Sequence, residues 1–96
     1  MIDLAPEHLQ VIKRILKRHL PGREIWVFGS RATGCAKKYS DLDLAVIGSV
    51  PLTLAQLALL EHELDESELP FKVDIVDWAS IDGSFREIIR KTAKPV

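Results

Sequence analysis

Cysteine is almost absent from this sequence, since Cys35 is the only one among 96 residues. A lone cysteine excludes a disulfide within the chain and suits a reducing compartment. Without disulfides, a chain of this length must be held together by its hydrophobic core, and 47% of its residues are hydrophobic. We therefore expect residues 1–96 to fold as one small domain.

The sequence also lacks long apolar runs and an excess of positive charge. No stretch approaches the roughly 18 consecutive apolar residues that predict a transmembrane helix. Residues 1–7 are acidic and do not resemble the basic and then apolar segments of a signal peptide. Because the formal net charge is −1, the chain offers no basic surface for nonspecific nucleic-acid binding. We expect a cytoplasmic protein that binds neither membranes nor nucleic acid directly.

Hydrophobic periodicity predicts three helices and three strands, with a short helical turn and a loop between the first two strands. The helices are expected at about 6–20, at about 53–67 and from Ser80 or Asp82 onward. The strands are expected at 25–28, 42–47 and 71–76. This order predicts an α+β fold in which a small mixed sheet carries helices on one face. The opposite face would carry the acidic residues of the strands.

Two of these helices have a predicted buried stripe. Thr53 and Gln56 form a capping box at the start of the second helix. The positions expected to face the core are Leu54, Leu57, Leu60 (or Glu61) and Leu64 in the second helix, and Phe85, Ile88 and Ile89 in the last one. These stripes predict which side of each helix packs against the sheet.

Three acidic residues fall on the two later strands. Asp41 and Asp43 are two residues apart, so their side chains are expected on one side of the strand, and Asp74 lies in the next apolar run. If these strands pair, three carboxylates converge and repel one another unless a cation lies between them. Their oxygens suit Mg²⁺ or Mn²⁺, and two such ions can bind the attacking and leaving oxygens of a phosphoryl or nucleotidyl transfer. Asp77 is an alternative third ligand, although it would face the other side of a regular strand.

A Gly-Ser-Arg sequence directly follows the first strand. Gly29 allows a phosphate to approach the backbone closely, and Ser30 offers backbone and hydroxyl donors to an anion if it begins a helical turn. Arg31 adds a charged fork that suits phosphate oxygens. This turn is therefore the expected nucleotide-binding site, and the three aspartates are the expected catalytic and metal-binding residues.

These residues together carry a resemblance to a known family. The segments concerned are Gly29-Ser30-Arg31-Ala32-Thr33-Gly34, Ser40-Asp41-Leu42-Asp43-Leu44 and Val73-Asp74-Ile75-Val76-Asp77. They resemble the minimal nucleotidyltransferases of the DNA polymerase β-like superfamily, whose palm-like fold would span residues 1–96. The resemblance implies that Asp41 and Asp43 hold both metal ions. Asp74 would complete the site of one ion and help to deprotonate the acceptor hydroxyl, while Ser30 and Arg31 would hold the β- and γ-phosphates of a nucleoside triphosphate.

The resemblance also implies a function. Minimal members of this family resemble the antitoxin partners of small helical HEPN-type proteins, in which AMP is moved from ATP to a tyrosine of the partner and silences its RNase activity. Two alternatives stay open: a non-catalytic inhibitory subunit of the same complex, and nucleotidyl transfer to a small-molecule hydroxyl. Further candidates for contacts with nucleotide or partner are the loop Lys37-Lys38-Tyr39 and the basic residues Arg86, Arg90, Lys91 and Lys94.

Overall fold

The structure is a computed structural model that describes residues 2–96 and contains four α-helices, one 3₁₀ turn and four strands within that range. In chain order they are α1 (Pro6–His19), β1 (Ile25–Phe28), α2 (Ser30–Thr33), β2 (Leu42–Val46), α3 (Leu54–Glu66), β3 (Val73–Asp77), the 3₁₀ turn (Trp78–Ser80), α4 (Gly83–Thr92) and β4 (Lys94–Pro95). The predicted order is confirmed. The added strand β4 has only two residues, which is too short for a periodic pattern. None of the helices within residues 2–96 has the length and apolar character needed to cross a bilayer.

The four strands form one mixed sheet in the order β3-β2-β1-β4. β1 pairs antiparallel with β2 and with β4, whereas β2 and β3 run parallel and are connected through α3. A parallel pair needs such a crossover, and the amphipathic segment between the two strands supplies it. The predicted α+β fold with a small mixed sheet is confirmed.

The larger core lies on one face of the sheet, beneath α1 and α3. Alternate residues of β2 point to this face, and they pack against buried side chains of both helices; the residues concerned are Ile12, Ile15, Leu16, Leu42, Leu44, Val46, Leu60 and Leu64. Burying one such side chain contributes about 1.5–3 kcal/mol before entropy is counted. This layer therefore supplies most of the hydrophobic stabilisation.

The expectation that all helices share one face holds for α1 and α3 but not for α4. Ile89 of α4 packs on the opposite face with Ala45 and Trp78, beside the half-buried Trp26 and Phe28 of β1. A smaller second core thus covers part of the face that carries the acidic residues.

The predicted buried stripes were wrong at their margins. Leu54 is 87% exposed, whereas Leu60 is fully buried. At about 100° per residue, Leu54 lies some 120° around the helix from Leu60, outside the stripe. Ile88 is 61% exposed for the same reason, because it lies about 100° from the buried Ile89. The capping box at Thr53 and the alternative cap at Asp82 are both observed.

A charged contact joins α1 to α3. One oxygen of Glu63 accepts a hydrogen bond from Nη1 of Arg18 at 2.8 Å, and the other lies 2.6 Å from Nε2 of His19. The hydrogen bond with His19 and the charge of Arg18 lower the pKa of Glu63. The ionised carboxylate is therefore favoured in the folded state.

We expect Glu63→Gln to lower the midpoint of thermal unfolding at neutral pH, because the ionised form is stabilised by folding. A lowered folded-state pKa gives stability that is present above the unfolded-state pKa and is lost as the pH falls through the folded-state value. The difference between wild type and Glu63→Gln should therefore shrink on acidification. Glu61→Gln, on the same helix, serves as the control, and an effect of Glu63→Gln that does not change with pH would contradict this assignment.

Candidate active site

The sheet brings the three predicted carboxylates to one place. Asp43 of β2 and Asp74 of β3 are direct partners in the parallel register, and Asp41 lies two residues before Asp43. The pKa of Asp43 is raised, first by burial and then by the negative charges of Asp74 and Asp41. The three acidic groups are therefore close enough to repel one another, as expected from the sequence.

Gly29 lies against the carboxylate of Asp43. A Cβ atom at position 29 would come within 2.6 Å of Oδ2 of Asp43, and the backbone of Gly29 has φ +75° and ψ −152°. Residues with a side chain almost never adopt this conformation. The N–H of Gly29 donates to Oγ1 of Thr92 on α4 at 3.3 Å. The glycine is thus needed for the approach of Asp43, a role that the sequence did not predict.

Ser30 follows as the first residue of α2, directly beside this contact. Its carbonyl oxygen accepts hydrogen bonds from the N–H of Cys35 at 3.0 Å and from Oγ1 of Thr33 at 3.2 Å. These bonds close the short helix, whose last residue is followed by Gly34 in a left-handed conformation. Ser30 is therefore held next to the carboxylates by its own backbone.

The position of Arg31 differs from the one expected for a phosphate ligand. Its side chain is only 5% exposed, and its guanidinium donates to the carbonyl oxygens of Ser40 at 2.9 Å, Asp3 at 2.9 Å and Lys38 at 3.3 Å. The guanidinium also lies over the ring of Phe71, 4.2 Å from its centroid. A buried guanidinium must satisfy its donors, and here the backbone does so. The Arg31 guanidinium, which the sequence analysis expected to hold phosphates, is thus bonded to the scaffold in this structure.

Lys72 is a member of the site that sequence reasoning missed. Its Nζ lies 3.3 Å from Oδ1 of Asp74, and the hydrogen bond and charge of Asp74, together with the charge of Asp41, raise the pKa of Lys72. Lys72 stands two residues before Asp74, so the alternation of side chains along a strand would have placed both on the same face. The acidic cluster therefore has a cation directly before β3.

Asp77, the alternative third ligand, serves the scaffold. Its Oδ2 accepts hydrogen bonds from the N–H of Leu52 at 2.9 Å and from the hydroxyl of Ser80 at 3.1 Å, and its Oδ1 accepts from the N–H of Ala79 at 3.3 Å. It caps the 3₁₀ turn at the far end of β3 from Asp74. The third carboxylate of the site is Asp74.

An apolar wall stands beside the carboxylates. Phe28 is the cross-strand partner of Asp43, and side chains in such pairs lie on the same face. The ring of Phe85 on α4 meets that of Phe28 edge-on, with centroids 6.3 Å apart, and Phe85 remains 37% exposed. The site is therefore open on one side and bordered by aromatic rings on another.

Two of the basic residues of the last helix contact Trp78. Arg86 donates from Nε at 3.1 Å and from Nη2 at 2.7 Å to the carbonyl oxygen of Trp78. The guanidinium of Arg90 lies 5.1 Å from the centroid of the Trp78 ring. Both arginines therefore contact Trp78 of the second core, and Arg90 also donates to Glu87 at 2.6 Å while its side chain stays 53% exposed.

The donor set of the site fits a divalent cation. Its three carboxylates supply only oxygen, which Mg²⁺ and Mn²⁺ prefer. The pKa of Asp43 is raised by burial and by the charges of Asp74 and Asp41, and a cation would offset both effects. Among residues 2–96, no three acidic, histidine or cysteine side chains converge tightly enough to form a finished metal site. A bound ion would therefore require side-chain rotations that bring the three carboxylates closer together.

The chain is similar to proteins of one family. The sequence profile described as Polymerase beta, Nucleotidyltransferase matches residues 10–96. The chain is 48% identical over 90 residues to the probable protein adenylyltransferase MntA of Haemophilus influenzae, and the match covers 94% of this chain and 79% of that protein. The similarity therefore extends over nearly the whole of the domain.

Two solved structures are similar in both fold and sequence. A toxin-antitoxin complex with AMP-PNP matches with a TM-score of 0.75 and 26% identity, over 90% of this chain and 69% of that chain. A variant of the toxin-antitoxin complex MntA-HpeT matches with a TM-score of 0.74 and 26% identity, over 97% of this chain and 72% of that chain. The likeness is thus not confined to one element of the fold.

We expect Gly29→Ala to displace the carboxylate of Asp43, because the new Cβ would lie 2.6 Å from its Oδ2. The strained backbone should also lower the stability by about 1–3 kcal/mol. Gly34→Ala is the matched control, since Gly34 also has a positive φ but has no atom within 4 Å of an added Cβ. Thermal unfolding should show losses for both variants, whereas calorimetry should show weakened Mn²⁺ binding for Gly29→Ala alone. Equal Mn²⁺ affinities for the two variants would contradict the prediction.

Asp43→Asn should stabilise the metal-free protein at neutral pH. The folded-state pKa of Asp43 is raised, so its ionisation costs stability as the pH rises through the unfolded-state and then the folded-state value. The amide removes this cost and also removes a metal ligand. Thermal unfolding should therefore show a higher midpoint for Asp43→Asn without metal, and added Mg²⁺ should raise the midpoint of the wild type but not that of Asp43→Asn. Asp65→Asn on α3 is the control, and equal stabilisation of Asp43→Asn by Mg²⁺ would be evidence against the metal site.

Proposed function

The chain belongs to the polymerase beta nucleotidyltransferase family, and we propose that it transfers AMP from ATP to a tyrosine hydroxyl of a small helical HEPN-type partner. On this proposal it acts in the cytoplasm as the antitoxin of that partner. The observation that carries the proposal is the convergence of three carboxylates directly beside the Gly29-Ser30 turn. The 48% identity to a protein named as an adenylyltransferase supports AMP as the group that is moved.

Asp41, Asp43 and Asp74 would hold Mg²⁺ or Mn²⁺, with room in this donor set for two ions. Such ions, when bound, neutralise the charge of the triphosphate and of the attacking and leaving oxygens. The chain sets the spacing of the carboxylates, because the parallel register pairs Asp43 with Asp74 and the missing side chain of Gly29 leaves room for the carboxylate of Asp43. The site thus places negatively charged oxygen atoms where the metal ions would bind.

The nucleotide would lie across the turn after β1. Ser30 would offer its hydroxyl to the β- and γ-phosphates, and Gly29, which has no side chain, lets the carboxylate of Asp43 lie against the same turn. The exposed ring of Phe85 borders the same face and offers an apolar surface to the rest of the ligand. The triphosphate contacts are assigned to Gly29 and Ser30, because the guanidinium of Arg31 is bonded to the scaffold.

The reaction itself is an in-line displacement at the α-phosphorus. The tyrosine oxygen forms a bond to the α-phosphorus, the bond to the bridging oxygen breaks, and pyrophosphate leaves with the electron pair. The hydroxyl proton passes to the carboxylate of Asp74. Attack requires the tyrosine oxygen to be held about 3–3.5 Å from the phosphorus. A partner that docks on the open carboxylate face, including the loop from Thr33 to Tyr39, would hold it there.

The relatives support a protein acceptor over a small molecule. The structural matches include toxin-antitoxin complexes, one of them with AMP-PNP, an analogue of ATP. A purely inhibitory subunit would have no chemical use for crowded carboxylates, which raise the pKa of Asp43 and thereby cost stability at neutral pH. Catalysis therefore explains the site better than inhibition by binding alone.

The proposal is tested by incubating the purified protein with ATP, Mg²⁺ and the HEPN-type partner, followed by mass spectrometry of the partner. We expect a mass increase of one AMP on a tyrosine and loss of the partner's RNase activity. Asp43→Asn should lower the rate by more than about 100-fold, because even residues that only support metal ligands are worth 10–100-fold.

Glu61→Gln, a surface change on α3, is the control and should modify the partner at the wild-type rate. An unmodified partner in the wild-type reaction would contradict AMP transfer as the way in which the partner is silenced. AMP transfer by Asp43→Asn at the wild-type rate would remove the assignment of the catalytic site. If AMP were found instead on a small-molecule hydroxyl, the protein would be a nucleotidyltransferase with a different acceptor.

A further inference from the structure

Arg31 lies where the segments that carry the candidate site meet. It follows Ser30 in the chain, its Nε donates to the carbonyl of Ser40 immediately before Asp41, and it lies over Phe71, three residues before Asp74. One side chain therefore touches the turn after β1, the loop before β2 and the segment before β3. These are the segments on which the three carboxylates depend.

The hydrogen bonds of Arg31 use all three nitrogens of the guanidinium. Nε and Nη2 donate to the carbonyls of Ser40 and Lys38 in the same loop, while Nη1 donates to the carbonyl of Asp3. The N–H of Asp3 donates back to the carbonyl of Arg31 at 2.7 Å, so the N-terminal segment is held from both sides. Only a planar fork with several donors can bond carbonyls in these directions at once, and a lysine ammonium cannot reproduce it.

The ring of Phe71 completes the link between the two strands. The guanidinium lies 4.2 Å from the ring centroid, and the side chain of Arg31 is only 5% exposed. Next to this contact, the N–H of Leu42 donates to the carbonyl of Lys72 at 2.9 Å and begins the pairing of β2 with β3. Arg31 thus stabilises the beginning of the parallel pair of β2 and β3, which sets Asp43 beside Asp74.

We propose that Arg31 is a positioning residue that fixes Asp41 and Asp43 relative to Asp74 by joining the loop before β2 to the segment before β3. It does so without contacting the phosphates of the nucleotide. This inference rests on the proposed nucleotidyl transfer for its kinetic consequence, but its structural consequence is independent of that transfer. A phosphate ligand affects KM for ATP, whereas a positioning residue affects kcat and the affinity for the metal.

The test compares Arg31→Lys with the wild type in Mn²⁺ calorimetry, amide hydrogen exchange and AMP transfer. We expect Mn²⁺ affinity and kcat to fall by about 10–100-fold, the range found for residues that orient metal ligands, with KM for ATP changed by less than about twofold. Exchange at the Leu42 amide should become faster. Because lysine keeps the positive charge, it would largely rescue a phosphate ligand but not a fork that bonds three carbonyls.

Arg86→Lys is the matched control. Arg86 also donates to a carbonyl, that of Trp78, and lies 5.2 Å from an aromatic ring, yet it is on α4 and far from the loop before β2. It should leave Mn²⁺ affinity and exchange at Leu42 unchanged. Phe71→Leu is a second variant, which keeps the hydrogen bonds of Arg31, removes the ring, and should shift both readouts in the same direction by a smaller factor.

Three results would overturn the inference. The first is a rise of tenfold or more in KM for ATP in Arg31→Lys with kcat and Mn²⁺ affinity unchanged, which would make Arg31 a phosphate ligand. The second is wild-type behaviour of Arg31→Lys in every assay. The third result is needed only if Arg31→Lys does not fold. In that case, unchanged Mn²⁺ affinity and unchanged exchange at the Leu42 amide in Phe71→Leu would overturn the inference. If the wild type transfers no AMP at all, the proposed function fails, and the calorimetry and exchange measurements still decide the role of Arg31.

Discussion

The contact between Gly29 and the carboxylate of Asp43 is the constraint on which the site depends. The antiparallel register sets Phe28 opposite Asp43, so the chain must leave β1 at the next residue, where the side chain of Asp43 already fills the space that a Cβ would need. A glycine with positive φ satisfies both demands and turns the chain into α2. The Gly-Ser turn and the acidic pair, which are separated in the sequence, are thus one packed unit.

The two faces of the sheet have different roles, since one carries most of the hydrophobic core and the other carries the candidate active site. The face under α1 and α3 is a continuous apolar layer, and it can hold the β2–β3 pair in register without help from the other side. The opposite face has a small core around Ile89 and Trp78, and the rest is occupied by like charges at Asp43 and Asp74. Repulsion on one face is tolerated because packing on the other is strong, which is the usual relation between an active site and its scaffold.

The sequence predicted the fold well because most elements have periodic patterns and clear caps, such as the box at Thr53. The family membership inferred from the motifs is confirmed by the family match and by the close relative. The proximity of the three carboxylates followed from alternation along two paired strands. The direction of the Arg31 side chain could not be predicted, since it depends on carbonyl groups from segments distant in sequence. Lys72 could have been found from its spacing to Asp74 alone.

The position of β3 at the edge of the sheet has a consequence for solubility. An edge strand presents main-chain donors and acceptors that can pair with another molecule, and proteins discourage such pairing with charged side chains or proline. Lys72, Asp74 and Asp77 place three charges of mixed sign along β3 and its entry, and Pro95 interrupts the opposite edge in β4. Asp74, which completes the candidate active site, therefore also discourages a strand of another molecule from pairing with this edge of the sheet. Replacing these charges together would leave a flat apolar edge of Val73, Ile75 and Val76, a composition prone to amyloid-like association.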